Sequence, residues 1–203
     1  MILDIFPTPL YLERLQSYDK QSMITAVNTI YNIDNNSFFG DSKNTVQIHN
    51  HESFEWLNSQ VKEHTLNYLR QSGYTDNVNV VVQKSWAVVL GRGGGVQTHN
   101  HPNSHLSCVF YLQTDSSFIQ FFRQQDAMKM LPIEGKVDSP YNSFEISVGV
   151  EEGAFIIFPS SIAHRVDTYQ KDLLRYSISY DIMLTTDEPS ENMVLSPIHW
   201  RTL

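Results

Sequence analysis

Apolar positions change their spacing once along this chain. From Asp19 to Ile33 they recur every three or four residues, at Met23, Ile24, Val27, Ile30 and Tyr31, and that spacing predicts an amphipathic helix. A second stripe, Phe54, Leu57, Val61, Leu66, Tyr68 and Leu69, predicts another helix that Ser53 can cap and Gly73 ends. Beyond Gly73 the runs become short and rich in β-branched and aromatic residues, at 78–90, 106–112, 118–122, 143–148, 154–158 and 173–184, which predicts strands. Residues 1–12, with Ile2, Leu3, Ile5 and Phe6 ahead of Pro7 and Pro9, read as a short opening strand ended by proline. The stretch 37–50 is polar and loop-like, 124–141 reads as an excursion from the strands, and the last twenty residues show no periodicity. Many short strands after a helical pair predict a mainly β fold, a jelly roll with N-terminal α-helices packed on one sheet. We read one domain over 1–203: a helical part over 1–75, a jelly-roll core over 76–185 and a tail over 186–203.

Composition narrows the function classes. The 203 residues carry 41% hydrophobic and 18% charged side chains, an ordinary folded composition. A formal net charge of −8 with no basic cluster argues against nucleic acid or an anionic membrane as partner. Cys108 is the only cysteine, so no internal disulfide forms and a reducing compartment fits best. No apolar run approaches the length of a membrane span, and the start lacks a basic segment, so the expectation is a soluble cytoplasmic protein. The substrate is unnamed by the sequence, and a homo-oligomer is compatible with it.

The candidate chemistry gathers in Thr98-His99-Asn-His101-Pro102-Asn-Ser-His105, which places three of the chain's eight histidines within seven residues. His99 and His101 are two apart, so both rings project from one face of an extended strand and can share a divalent cation. An isolated pair of this kind is more often a polar surface turn. What changes the balance is Gly153-Ala-Phe-Ile-Ile-Phe-Pro159-Ser-Ser-Ile-Ala-His164, an apolar strand that ends at proline with a histidine after it. Three imidazoles at a barrel mouth leave about three positions open on a six-coordinate metal, as a catalytic site requires. In the last predicted strand Arg175, Ser177 and Ser179 share one face, and a guanidinium with a hydroxyl beside it can hold a carboxylate.

These residues resemble a family. His99-x-His101-Pro-x-Ser-x-Leu-Ser107 with Tyr111 following, then Gly153-x(5)-Pro159-x(4)-His164-Arg-Val and Arg175-x-Ser177, are similar to the 2-oxoglutarate and Fe(II)-dependent oxygenases of bacteria and their phages. Trp86 ahead of the glycines and the opening Phe6-Pro-Thr-Pro also look similar. The likeness covers most of the chain and is strongest from Trp86 to Asp181. It implies a double-stranded β-helix, with His99, His101 and His164 as the catalytic Fe(II) set. It also implies Arg175 and Ser177 at the far carboxylate of 2-oxoglutarate, Tyr111 and Trp86 among the cosubstrate-binding residues, and O2 as the second cosubstrate. The implied reaction is hydroxylation of a substrate with decarboxylation of 2-oxoglutarate. The wider superfamily has a carboxylate where His101 stands, Val88 stands where close relatives have Asn, and Cys108 where they have Gly.

Two other readings use the same residues. A cupin would take His105 as a fourth ligand beside His99, His101 and His164 and need no 2-oxoglutarate. Pro102 breaks the strand before His105, and a cupin has no use for Arg175-x-Ser177. A non-catalytic jelly-roll module would use the 10 Tyr and 11 Phe as a binding surface, although aromatics in a β domain more often fill the core. The run Gly91-Arg-Gly-Gly-Gly95 lacks the Lys-Ser/Thr of a phosphate loop and is read as a flexible turn over the cavity mouth. Cys108 is read as a small buried hydrophobe. His49 and His51 are read as surface residues, and His64 and His199 as structural or solvated.

Overall fold

The computed structural model describes residues 7–33, 47–123, 139, 141–187 and 195–202. Two antiparallel sheets face one another. The larger has the order β1 (Tyr11–Arg14), β7 (Ala154–Pro159), β4 (Leu106–Gln113), β9 (Arg175–Thr185), β2 (Asn79–Leu90). The smaller has the order β3 (Val96–His99), β8 (His164–Val166), β5 (Ser117–Phe122), β6 (Glu145–Val150). This is the jelly roll that the strand pattern predicts.

The helices are α1 (Lys20–Tyr31) and α2 (Glu55–Gln71). Asp19 caps α1 by accepting a hydrogen bond from the Ser22 N–H at 2.9 Å, and Asn32, at φ +52°, closes it in the left-handed conformation. Ser53 does not cap α2. It sits in a 3-10 turn, Glu52–Phe54, where the His51 ring accepts its N–H, and Phe54 holds the cap position. Gly73, at φ +78°, ends α2 as its periodicity requires.

Alternation splits the larger sheet into two dissimilar faces. One face carries Cys108, Phe110, Phe155, Ile157, Tyr176, Ile178, Tyr180 and Ile182, packed with Met23 and Val27 of α1 and with Phe54, Leu57 and Val61. Burying each large side chain there contributes about 1.5–3 kcal/mol. The opposite face meets the smaller sheet through Val109, Tyr111, Ile156 and Phe158. The helices thus occupy one side of the larger sheet and leave the space between the sheets to the polar face of β9.

Three details differ from the sequence-based expectation. The opening strand lies after the prolines, at Tyr11–Arg14, where it pairs with β7; residues 1–6 lie outside the described part. β3 and β8 are absent from the apolar runs that predict strands, although the His99-x-His101 reading assumes an extended strand at the first of them; each is short and carries histidine where an apolar residue would mark a strand. The stretch read as a loop over 37–50 ends in a 3-10 turn, Ile48–Asn50, whose Ile48 is fully buried. Most of the 124–141 excursion falls outside the described residues. β1 is tied to the core by Gly153, at φ +85°. A Cβ there would meet the Leu15 carbonyl at 2.7 Å, so the position excludes any other residue.

Candidate metal and anion site

The three site histidines are brought together by strand pairing. β3 runs antiparallel to β8, and His99 lies directly opposite His164 in register. Their ring centroids are 4.4 Å apart. His101 lies two residues past the end of β3, where its backbone N–H donates to the Ser160 carbonyl at 2.9 Å. The ligand atoms of His99, His101 and His164 all lie within 4.8 Å of one another. The sequence places His99 and His101 on one strand face; the structure instead brings them together by a strand end and a pinned turn.

Each ring is held at Nδ1. His99 donates to the Gln97 carbonyl at 2.8 Å and His164 to the Ile162 carbonyl at 3.0 Å. A carbonyl only accepts, so the proton sits on Nδ1 and Nε2 is the ring atom that can serve as a ligand. His101 Nδ1 is 2.7 Å from Asp181 Oδ1. His101 also stacks with Trp86, at 5.4 Å and 20°, and with His164, at 5.1 Å and 8°. Burial lowers the His164 pKa to about 3, and the Ile162 hydrogen bond only partly offsets it. A ring that stays neutral is a ligand without having to shed a proton first. The set fits a divalent cation.

The cavity between the sheets, about 580 Å³, runs from these rings to Arg175 at the start of β9. Arg175 is buried, with its guanidinium 5.0 Å over the Tyr111 ring and Nη1 donating to Ser177 Oγ at 3.3 Å. Ser177 in turn donates to the Val88 carbonyl at 3.4 Å. The Arg175 Nε and the Tyr111 hydroxyl, both buried, have no hydrogen-bond partner. No carboxylate pairs with Arg175 among the described residues. A buried guanidinium without a counter-ion is costly, so this end of the cavity fits an anion.

Asp181 and Lys84 are the site residues that sequence reasoning missed. Asp181 is buried on the same face of β9 as Arg175, Ser177 and Ser179, and the alternation that picked out those three extends to it. Burial works to raise its carboxyl pKa, but the His101 N–H and the Lys84 ammonium outweigh it and hold the group low. Lys84 Nζ lies 3.1 Å from Asp181 Oδ2 and 4.8 Å over the Trp86 ring.

The remaining histidines and the glycine run do other work. His105 is outside the cluster, and its Nδ1 accepts the Leu184 N–H at 2.9 Å, so no fourth cupin-like ligand is present there. His49 and His51 are not plain surface residues: His49 bonds to the Ser85 hydroxyl, and His51 caps its 3-10 turn. His64 pairs with the Tyr11 hydroxyl at 2.8 Å. The turn over 91–95 is pinned at the cavity mouth, since Gly93 donates to the Tyr169 carbonyl and Tyr169 donates to that of Gly94, each at 2.7 Å. Cys108 is buried, and burial pushes its thiol well above the ordinary range. We expect iodoacetamide to label it in denaturant and to leave the native protein unlabelled over the same hour; equal labelling would contradict the burial.

Comparison with known proteins places this geometry. Residues 84–181 match the family described as "Putative 2OG-Fe(II) oxygenase". Among solved structures, the α-ketoglutarate-dependent carbocyclase SnoK of nogalamycin biosynthesis is similar at TM-score 0.59 and 12% identity, over 88% of this chain and 82% of that one. A prolyl-4-hydroxylase of Pseudomonas putida gives TM-score 0.52 at 12% identity, over 86% of each chain. A prolyl hydroxylase of Trichoplax adhaerens, in complex with a hypoxia inducible factor peptide, gives 0.55 at 15%, over 85% and 82%. At these identities the structures speak for the fold alone, a double-stranded β-helix. No curated protein sequence matches the chain. No helix among the described residues is long and apolar enough to cross a membrane.

Proposed function

We propose, from the premise that this chain belongs through residues 84–181 to the 2OG-Fe(II) oxygenases, a division of labour for the activity that membership carries: use of Fe(II), 2-oxoglutarate and O2 to oxidise a substrate. In this reading His99, His101 and His164 hold Fe(II) through Nε2, and Arg175 takes the far carboxylate of 2-oxoglutarate. The bound metal supplies the oxidative chemistry, with decarboxylation of the cosubstrate accompanying hydroxylation of a small-molecule or peptide substrate. The protein's own residues bind and orient. Arg175 Nε and the Tyr111 hydroxyl complete their hydrogen bonding on the incoming carboxylate, with Ser177 holding the guanidinium in place. Trp86, Val88 and Phe158 line the walls and limit water beside the reacting centre. The reading treats 1–203 as one domain, because both helices share their core with the larger sheet.

The observation that carries it is the unpaired buried guanidinium at the far end of a cavity from three clustered imidazoles. A cupin has no carboxylate to place there, and a binding module has no need of three converging Nε2 lone pairs. The test is an anaerobic optical titration of metal-free protein with Fe(II) and then 2-oxoglutarate. A visible charge-transfer band that appears only with both present is the expected result. Iron binding without the band would favour the cupin, and no iron binding would leave a binding module.

A further inference from the structure

We propose that Asp181 is a positioning residue for the metal centre, supplying through the His101 ring the negative charge that a three-imidazole set lacks, and that Lys84 limits how much of that charge reaches the ring. The proposal rests on the three-histidine reading above.

The three imidazoles are not equivalent. His99 and His164 donate Nδ1–H to neutral backbone carbonyls, whereas His101 donates to a carboxylate, at 2.7 Å, the shortest of the three bonds. Both partners are buried, at 7% and 1% side-chain exposure, so water screens the pair little. A carboxylate accepting from one nitrogen of an imidazole raises electron density on the other and fixes the ring's orientation. Here the ring is fixed further, since Trp86 and His164 both stack on it. One formal negative charge therefore sits one residue behind the metal, while all three ligating groups are neutral.

Asp181 is shared. Its Oδ1 also accepts from the Ser107 hydroxyl at 3.1 Å, and its Oδ2 faces Lys84 Nζ at 3.1 Å. Lys84 then lies over Trp86, which stacks on His101, so the four side chains form a closed circuit. An ammonium on one oxygen draws charge from the other, and so weakens the assistance given to His101. This separates the proposal from a purely structural one. If Asp181 is kept only as a buried partner for Lys84 and the serines, removing either end of the ion pair harms the site in the same direction. If Asp181 acts by charge on the ring, the two removals act in opposite directions.

The experiment compares the wild type, Asp181→Asn and Lys84→Met for anaerobic Fe(II) affinity, measured by competition with a chromophoric chelator, with the Co(II) visible spectrum as a second readout. Asparagine keeps an acceptor for the His101 N–H and about the same shape, and methionine keeps the contact over Trp86. We expect Asp181→Asn to weaken Fe(II) binding about 10- to 100-fold and to shift the Co(II) bands. We expect Lys84→Met to tighten binding several-fold, an estimate from partial loss of the opposing charge. Opposite signs support the proposal, and any other combination overturns it. If Asp181→Asn does not fold, Lys84→Met decides alone: tighter binding supports, unchanged or weaker binding overturns. A wild type that takes up no Fe(II) would overturn the three-histidine reading as well. A wild type that binds Fe(II) and is indifferent to both substitutions would overturn this inference only.

Discussion

His164→Ala is expected to lose Fe(II) binding while keeping its fold. The ring is buried and neutral, its Nδ1 is occupied by the Ile162 carbonyl, and its ligand atom lies within 4.8 Å of those of His99 and His101. A four-ligand structural metal site is worth about 10–16 kcal/mol, so one ligand carries about 3 kcal/mol, a factor of more than about a hundred in affinity. His99→Ala is expected to behave alike. His105→Ala is the control: its ring only accepts the Leu184 N–H, so metal affinity should be unchanged. Anaerobic calorimetric titration with Fe(II) reads all three variants, and circular dichroism reports the fold. Tight binding retained by His164→Ala would remove the site itself.

Arg175→Met is expected to separate the two halves of the cavity. Fe(II) affinity should be unchanged, since Arg175 contacts Ser177 and Tyr111 and none of the histidines among its described contacts. Affinity for 2-oxoglutarate should fall by about two to four orders of magnitude, because removing one partner of a buried, hydrogen-bonded charge pair costs about 3–5 kcal/mol. The same substitution should raise the melting temperature of the cosubstrate-free protein. The wild type carries a buried cation whose Nε is unpartnered, and a methionine of similar length carries no such cost. Thermal melts with and without 2-oxoglutarate test both statements: the variant should start higher and fail to respond. A variant that starts lower and still responds would place the anion elsewhere.

The sequence carried the helices and most strands because burial imposes a period. Met23, Val27, Leu57 and Val61 repeat at helical spacing, while β4 and β7 are continuous apolar runs between turn residues. Apolar spacing did not mark β3 and β8, which are short and carry terminal histidines serving the site, and only the His99-x-His101 pair pointed to an extended strand at the first of them. Pro7 and Pro9 suggested the end of a strand and in fact precede one, since proline before a strand costs no ladder bond. At the site, the histidines and Arg175 were legible as types of residue with known chemistry. Asp181 and Lys84 were not, since a charged residue in a strand ordinarily marks a solvated face. Only the pairing of β2 with β9, which sets Lys84 opposite Asp181, turns them inward together.

Strand β9 alternates between two dissimilar environments: Tyr176, Ile178, Tyr180 and Ile182 enter the apolar layer beneath the helices, while Arg175, Ser177 and Ser179 line the cavity and Asp181, on their face, bonds to His101. Because the alternation has a period of two, adding or deleting one residue within it exchanges the two sets beyond the change. An insertion after Ser177 would drive the Asp181 carboxylate into the apolar layer beneath the helices and turn isoleucines toward the cavity side. Replacement of individual letters along β9 is therefore graded in its effect, whereas a change in the number of residues is all or nothing. Among variants of this chain that retain activity, gaps should fall in the connections between strands, and β9 should keep its length even where its composition drifts.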